Sequence, residues 1–300
     1  MQKEHPTQSK GVLLALLAYF IWSCFPFYFK LLDAYHAIEI IVHRIIWTLL
    51  ALSLVLIAFR RFAWIAILKK EPKWLFLTLL SGLLIATNWL SYVYMVNHDR
   101  ILEASLGYFI SPLMGVVLSF LVFKERLRPL QWLALALASL AVIIQMIWLG
   151  VFPVMAFVLA ISFSVYGVMQ RKTPLDALSA LFLETVLLTP FCLIWLATHQ
   201  VASSDWRFWV SGDIWLLMLA GPVTLIPLLL YNSATKLISF NILSFLQYLT
   251  PSAIFIIAVF YYKESFDMQR LFIFGLIWLA LALFTVDMVR KHKTQPSSNT

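Results

Sequence analysis

Ten long apolar runs, separated by short polar connections, constrain this chain more than any other feature of its sequence. Each run has close to the ~17–25 residues that a helix needs to cross the hydrocarbon core of a bilayer. The runs cover residues 11–31, 39–59, 74–96, 101–123, 130–149, 151–170, 177–198, 214–235, 239–262 and 270–289. This pattern predicts an all-α integral membrane protein with ten transmembrane helices.

The composition excludes a soluble fold and several classes of site. Hydrophobic residues make up 62% of the 300 residues and charged residues only 12%, against roughly 25% charged residues in soluble domains. Both cysteines, Cys24 and Cys192, lie in apolar runs, which excludes a disulfide framework and a cysteine-based zinc site. The net charge of +8 is scattered between the runs, so no nucleic-acid partner is expected. The six histidines lack metal-binding spacing, and we expect no metal or other cofactor.

The distribution of basic residues predicts the orientation of the helices. Connections on the side of the N-terminus carry 16 Lys and Arg residues, whereas the opposite side carries five. Because Lys and Arg concentrate in cytoplasmic connections, this asymmetry predicts ten helices with both termini in the cytoplasm.

The two halves of the chain resemble each other at an offset of 139 residues. The matched positions are Ser105 with Ser244, Ser111-Pro112 with Thr250-Pro251, Lys124-Glu125 with Lys263-Glu264, Gly82 with Gly221, and Tyr92 with Tyr231. Because each half has five helices, the second half is predicted to have the opposite orientation, as in the inverted repeats of secondary transporters. The predicted organisation is an N-terminus over 1–10, repeats over 11–149 and 150–289, and a tail over 290–300.

Pro112 and Pro251 lie near the middle of the fourth and ninth runs. A proline inside a helix removes one hydrogen bond and kinks the helix. Interrupted spans at matching positions of two repeats are typical of the substrate site of a transporter. We therefore predict two hinges beside a cavity, with simple packing kinks as the alternative.

Polar and aromatic side chains within the runs predict the wall of that cavity. Ser105, Tyr108 and Pro112 share one stripe of a helix, and the second half repeats the stripe. Asn, Trp and Tyr side chains would suit an amphipathic or aromatic solute. The predicted wall comprises Trp22, Arg44, Asn88, Trp89, Ser105, Tyr108, Tyr166, Gln247 and Tyr248. Packing and hydrogen bonding between helices are the alternative for these residues.

Two ionisable residues within the runs are the main charged candidates, because charges inside a membrane are costly. At ~1.5 Å per residue, Arg44 lies ~8 Å from the outer face and Glu184 ~10 Å from the inner face, too far apart for a direct salt bridge. Arg44 is expected to orient an anionic group of the solute, with Gln145 as a partner. Glu184 is the candidate for proton coupling, because burial in general favours the neutral form of a carboxyl group. A permanently hydrogen-bonded group and a substrate contact are the alternatives for Glu184.

Other acidic residues are expected to have structural roles. Glu103 follows the start of the fourth run, where an acid stabilises the N-terminus of its own helix. Glu39 and His43 are four residues apart and are expected to pair.

These features resemble the drug/metabolite transporter superfamily in its EamA-type branch, and more specifically the bacterial RarD-like permeases. The stretches that carry the resemblance are GVLLALLAYFIW (11–22), HR (43–44), NW (88–89), LEASLGYFISPL (102–113), YG (166–167) and QYLTP (247–251). Where the family usually has Gly before the loop Glu, this sequence has Lys124 and Lys263. The resemblance implies a bacterial inner-membrane permease, of a family whose members handle amino acids, metabolites and drugs.

The predicted function is a permease that moves a small organic solute by alternating access, in uptake or efflux, with protons as a candidate coupling ion. A membrane enzyme would instead carry an accessible nucleophile or metal in a span. A scaffold or sensor would give no flux in proteoliposomes. The inverted repeat favours transport over both.

Overall fold

The computed structural model describes residues 4–32, 34–98, 100–150, 152–210, 214–261 and 268–294. Lys263, Glu264 and the ends of both predicted termini lie outside these ranges. The helices are α1 (Glu4–Ser23), α2 (Phe25–Lys30), α3 (Ala37–Ala58), α4 (Ala63–Lys70), α5 (Lys73–Asn97), α6 (Ile101–Phe123), α7 (Pro129–Leu149), α8 (Val154–Lys172), α9 (Ala177–Thr198), α10 (Trp206–Val210), α11 (Ile214–Ala234), α12 (Phe240–Leu246), α13 (Leu249–Phe260) and α14 (Met268–Thr294). Within the described ranges, ten segments are long and apolar enough to cross a membrane.

Two of the ten spans consist of two helices each. α1 and α2 form the first span, and α12 and α13 form the ninth. The ninth is interrupted at Gln247 and Tyr248, one turn before Pro251. Proline has no N–H to donate to the carbonyl four residues earlier, and the N–H of Thr250 donates to the Gln247 carbonyl instead, at 3.1 Å.

The surface that faces away from the helix bundle is apolar. Phe20, Ile57, Phe191 and Trp215 expose between 60% and 65% of their surface. A surface of this kind requires a hydrocarbon environment, because large contiguous apolar patches are rare on soluble monomers.

Helices of the two halves pack in corresponding pairs. α6 packs on α8, and the matching helices α12 and α13 pack on α1. α5 packs on α9, and the matching α11 packs on α3, while α7 packs on its own counterpart α14. Two halves related by a two-fold rotation would give these contacts. The opposite orientation of the halves in a membrane stays a prediction.

Gly221 allows the close approach of α11 to α3. A Cβ atom at Gly221 would overlap the backbone of Trp47 and Thr48. The Thr48 hydroxyl donates to the Gly221 carbonyl at 3.2 Å across this contact. The helices that carry Arg44 and the cavity wall are therefore fixed to each other by backbone contact.

Candidate functional site

A cavity of about 850 Å³ lies between the two halves. We define the inner side as the side on which α1 begins and the outer side as the opposite one. The wall uses the outer halves of α3, α5 and α6, and it reaches Tyr35 and Gln269 in the outer connections. This space, named the outer cavity, is within the ~300–1,000 Å³ that is usual for small-molecule sites.

Among the described residues that line the outer cavity, Arg44 is the one with a charged side chain. Its side chain is 7% exposed, and its guanidinium carbon lies 3.8 Å from the centre of the Trp89 ring. Stacking over Trp89 stabilises the buried cation through the negative face of the ring. Among the described residues, no carboxylate lies within salt-bridge distance of Arg44, and its Nε has no hydrogen-bond partner. A guanidinium presents several N–H donors that match the geometry of a carboxylate or phosphate.

Most residues predicted in the cavity wall lie there, and two do not. Those in the wall are Trp22, Arg44, Asn88, Trp89, Ser105, Tyr108 and Gln247. Tyr166 is fully buried and does not line the outer cavity. Tyr248 is also outside it, with its hydroxyl donating to the Phe109 carbonyl at 3.2 Å. Depth along a helix could be estimated from sequence, but the direction in which these two side chains point could not.

Many wall residues were not among the predicted set, and they include the polar residues Tyr92, Ser111 and Gln145. Ser111 lies one turn from Tyr108 on the same stripe of α6, and that spacing could have found it. Gln145 lines the cavity without a hydrogen bond to Arg44, because its side-chain oxygen has no partner among the described residues. Tyr92, which matches Tyr231 in the repeat, also lies in the wall.

The two predicted hinge prolines occupy different surroundings. Pro251 lines the outer cavity next to the break between α12 and α13. Pro112 lies outside the wall, within α6, which is continuous through it. The matching prolines therefore accompany one broken and one unbroken span.

Glu184 lies in a second, smaller cavity of about 140 Å³ on the inner side. It is 2% exposed. Its carboxylate accepts from the Ser81 hydroxyl at 2.6 Å, the Gln170 amide at 2.5 Å and the Tyr166 hydroxyl at 3.5 Å. Lys172 lines the same cavity, but no Lys or Arg of the described residues lies within salt-bridge distance of Glu184. Arg44 and Glu184 thus belong to separate cavities.

A layer of five aromatic rings separates the two cavities. We call it the aromatic floor, and it consists of Tyr19, Trp22, Phe163, Tyr166 and Tyr231. The ring centres of Trp22 and Phe163, which line the outer cavity, are 5.6 and 5.1 Å from that of Tyr231. On the opposite side, the Tyr166 hydroxyl contacts Glu184 and accepts from Asn232 at 2.9 Å.

The inner ends of the helices are joined by Glu125. Its carboxylate accepts from the backbone N–H groups of Phe240 and Asn241 at 2.9 and 3.0 Å, and it pairs with Arg171 at 2.9 Å. Lys124 precedes it in the left-handed region, at φ 54°, which favours glycine. Since α8 and α12 follow α7 in the chain, Glu125 ties the first half to the second.

Glu103 contacts a neighbouring helix rather than only its own. Its carboxylate accepts from the Met155 N–H at 2.8 Å at the start of α8, and pairs with Arg100 at 2.5 Å. Glu103 does lie in the first turn of its own helix, as expected, and its bond to the start of α8 is an additional contact. Glu39 likewise accepts from the backbone of Ser203 at 2.7 Å, and no bond to His43 is formed.

Comparison with known proteins shows similarity along nearly the whole chain. The model of the EamA-like transporter family matches twice, over residues 9–147 and 151–286. The chain is 44% identical to the uncharacterized transporter PA0485 of Pseudomonas aeruginosa, over 96% of this chain and 97% of the relative. It is 39% identical to protein RarD of Salmonella typhi, over 93% and 96% respectively.

A crystal structure also superposes on this chain, with a TM-score of 0.69 at 20% sequence identity. The match covers 93% of this chain and 98% of the other. At this identity, the likeness concerns the fold alone.

Proposed function

Because the chain belongs to the EamA-like transporter family, we propose that it moves a small organic solute with a negatively charged group across a bacterial inner membrane by alternating access. The solute would enter or leave the outer cavity on the outer side. Release on the inner side would require the aromatic floor and the Glu125 contacts to open.

The burial and surroundings of Arg44 are the main support for this proposal. It is a buried cation in the wall of a solute-sized cavity, with one face on Trp89 and without a carboxylate partner among the described residues. A charged group that is desolvated in this way is stabilised by an anionic ligand. The aromatic residues that surround it favour an apolar or aromatic body on the same solute.

The difference between the outer and inner ends of the molecule supports alternating access. Both halves contribute to the outer cavity, and the inner end is closed by contacts between the halves. Opening of one end with closure of the other is the movement expected of inverted repeats. The double match of one family model to the two halves supports such a repeat.

The role of Arg44 can be tested with matched pairs of ligands. Each pair is an aromatic carboxylic acid and its primary amide, screened by thermal shift on purified protein and then by flux in proteoliposomes. Loss of a charge-assisted hydrogen bond costs about 1.5–3 kcal/mol, so Arg44→Gln should weaken acid binding roughly 10–100-fold. The exposed Arg207 provides the control, and Arg207→Gln should leave binding unchanged.

Two results would contradict this assignment. If Arg44→Gln still prefers the acid over the amide as the wild type does, Arg44 does not bind the anionic group. If stabilising compounds show no flux with the wild-type protein, a scaffold or sensor becomes the better explanation.

We further propose that Glu184 couples solute movement to protons. Three donors stabilise its anion, while the unpartnered Gln170 side-chain oxygen could accept from the protonated acid after rotation of the amide. The inner cavity exceeds the ~10–15 Å³ that one water requires, so it has room for water that would carry a proton to the carboxylate from the inner side.

The variant Glu184→Gln tests whether proton coupling can be lost while solute movement is kept. In proteoliposomes with a pH gradient, this variant should lose gradient-driven accumulation of the solute and keep its downhill flux. The control is Glu71→Gln, at an acid in the connection before α5 whose side chain is 44% exposed. Accumulation by Glu184→Gln at the wild-type level would exclude this coupling role.

A further inference from the structure

The two conformations of an alternating-access transporter share the residues that hold the solute. If the two halves exchange conformations, the inner cavity of the second state is lined by the positions that lie 139 residues from the wall of the outer cavity. A residue lines both cavities only if it and its counterpart are both in the present wall.

Three pairs of wall residues meet this condition. They are Trp89 with Leu228, Tyr108 with Gln247, and Ser111 with Thr250. Other wall residues have counterparts outside the wall. The counterpart of Arg44, for example, is Leu183, which does not line the outer cavity. We propose that these six residues, named the shared site, form the solute-binding site common to both conformations. This inference rests on the proposed alternating access.

The position of the shared site agrees with the axis that relates the halves. The Tyr248 hydroxyl donates to the Phe109 carbonyl at 3.2 Å, and these two residues are themselves 139 positions apart. Equivalent residues can touch only near the axis. Tyr108 and Gln247 are their direct neighbours in the chain, so the shared site lies at the axis as well.

The depth of the shared site is also central. Ser111 is the eleventh of the 23 residues of α6. Thr250 lies at the start of α13, next to the break in the ninth span. Its hydroxyl donates to the Tyr19 carbonyl at 3.2 Å. Thr250 therefore links the helix break to Tyr19 of the aromatic floor, and these are the elements that must move for inward release.

The chemistry of the shared site complements that of Arg44. Its members are neutral: two hydroxyl-bearing aliphatic residues, one phenol, one amide, one indole and one leucine. The Ser111 hydroxyl is buried and has no partner among the described residues, so it is available to the solute. The shared site therefore binds an uncharged polar and apolar part of the solute, whereas Arg44 contacts its anionic group from the outer side.

Accessibility of single cysteines tests the inference without a known solute. The background is Cys24→Ser with Cys192→Ala, and the probe is a membrane-impermeant maleimide applied to right-side-out and inside-out vesicles. Ser111→Cys and Thr250→Cys should react at comparable rates from both sides. Gln145→Cys, in the outer wall, should react from the outer side only. Ser179→Cys is the counterpart of the wall residue Ile40 and should react from the inner side only.

The controls distinguish failure of this inference from failure of alternating access. If Ser179→Cys reacts from the inner side while Ser111→Cys and Thr250→Cys react only from the outer side, the shared site is overturned and alternating access stands. If Ser179→Cys fails to react from the inner side, alternating access itself is contradicted. Because Ser111 and Thr250 lie on different helices, misfolding of one variant leaves the other as a test.

Discussion

The contact of α6 with α8 and the contact of α1 with α12 and α13 involve equivalent helices of the two halves, but they are bonded differently along their length. We call the contact of α6 with α8 the first seam, and the contact of α1 with α12 and α13 the second seam. In the first seam, Glu103 accepts from the backbone at the start of α8, the Ser164 hydroxyl donates to the Ser111 carbonyl at 3.1 Å, and Glu125 pairs with Arg171. These contacts lie at the outer end, the middle and the inner end.

The second seam is hydrogen-bonded in its inner part, and its outer part contains the outer cavity, with the Phe27 and Tyr261 rings in contact at 5.1 Å. The Tyr19 hydroxyl donates to the Leu243 carbonyl at 2.9 Å. Beyond it, Phe29 of α2 and Phe255 of α13 both face the outer cavity. The outer cavity thus lies within the outer half of the second seam, whereas the first seam has bonds along its length.

Departures from the repeat explain why the first seam is better fixed. At an offset of 139, Glu103 corresponds to Ile242 and Arg171 corresponds to Leu32. The second seam therefore lacks one acid and one base that join helices in the first. Two halves of similar sequence can have seams of unequal strength, because a few charged residues differ.

Glu125→Ala should have the largest effect on this comparison. Removing one partner of a partly buried ion pair and two charge-assisted backbone hydrogen bonds should lower the free energy of unfolding by about 3 kcal/mol. Thermal or denaturant unfolding in detergent would measure it. Glu71→Ala is the control, because the exposed pair of Glu71 and Lys73 should contribute less than ~1 kcal/mol. Equal losses in both variants would contradict a role of Glu125 in holding the seam.

Lys124→Gly should strengthen the first seam. A non-glycine residue in the left-handed region costs roughly 1 kcal/mol, and Lys124 has a φ of 54°. Glycine should therefore raise the free energy of unfolding by about that amount in the same assay. Lys124→Ala removes the charge but keeps the Cβ, and it should give no gain. A gain in the alanine variant would assign the effect to charge instead of backbone conformation.

Pro251→Ala should have a smaller effect, on the second seam only. It restores an N–H that could bond to the Gln247 carbonyl, and one such bond is worth ~1 kcal/mol or less. We expect a more continuous ninth span and slower outer-side labelling of Gln145→Cys. Pro112→Ala is the matched control and should change labelling less, because α6 is already continuous. A larger effect of Pro112→Ala would show that the first seam contains the hinge.

The sequence predicted the spans, and seven of the nine residues it assigned to the cavity wall lie there, since both depend on periodicity and depth along a helix. The fourth run, 101–123, has the bounds of α6. The contacts that define the site depend on the rotation of each helix and on residues far apart in the chain. The stacking of Arg44 on Trp89, and the burial of Tyr166 beneath the cavity, follow from such rotations.

The contacts of the charged residues at helix ends could not be predicted from the sequence either. Glu103 was placed correctly at a helix start, but its bonds go to the N-terminus of α8. A local pattern identifies a preferred environment, such as the positive end of a helix dipole. It does not identify which of two adjacent helix ends will supply that environment.

The aromatic floor has a further consequence for the membrane in which this protein lies. The Tyr19 hydroxyl is bonded to a backbone carbonyl, and the Tyr166 hydroxyl contacts Glu184 on the inner side. Rings packed with their polar groups directed in this way offer water few sites in the layer between the two cavities. An empty carrier resting in this conformation would leak few ions, so the membrane would keep its electrochemical gradient between transport cycles.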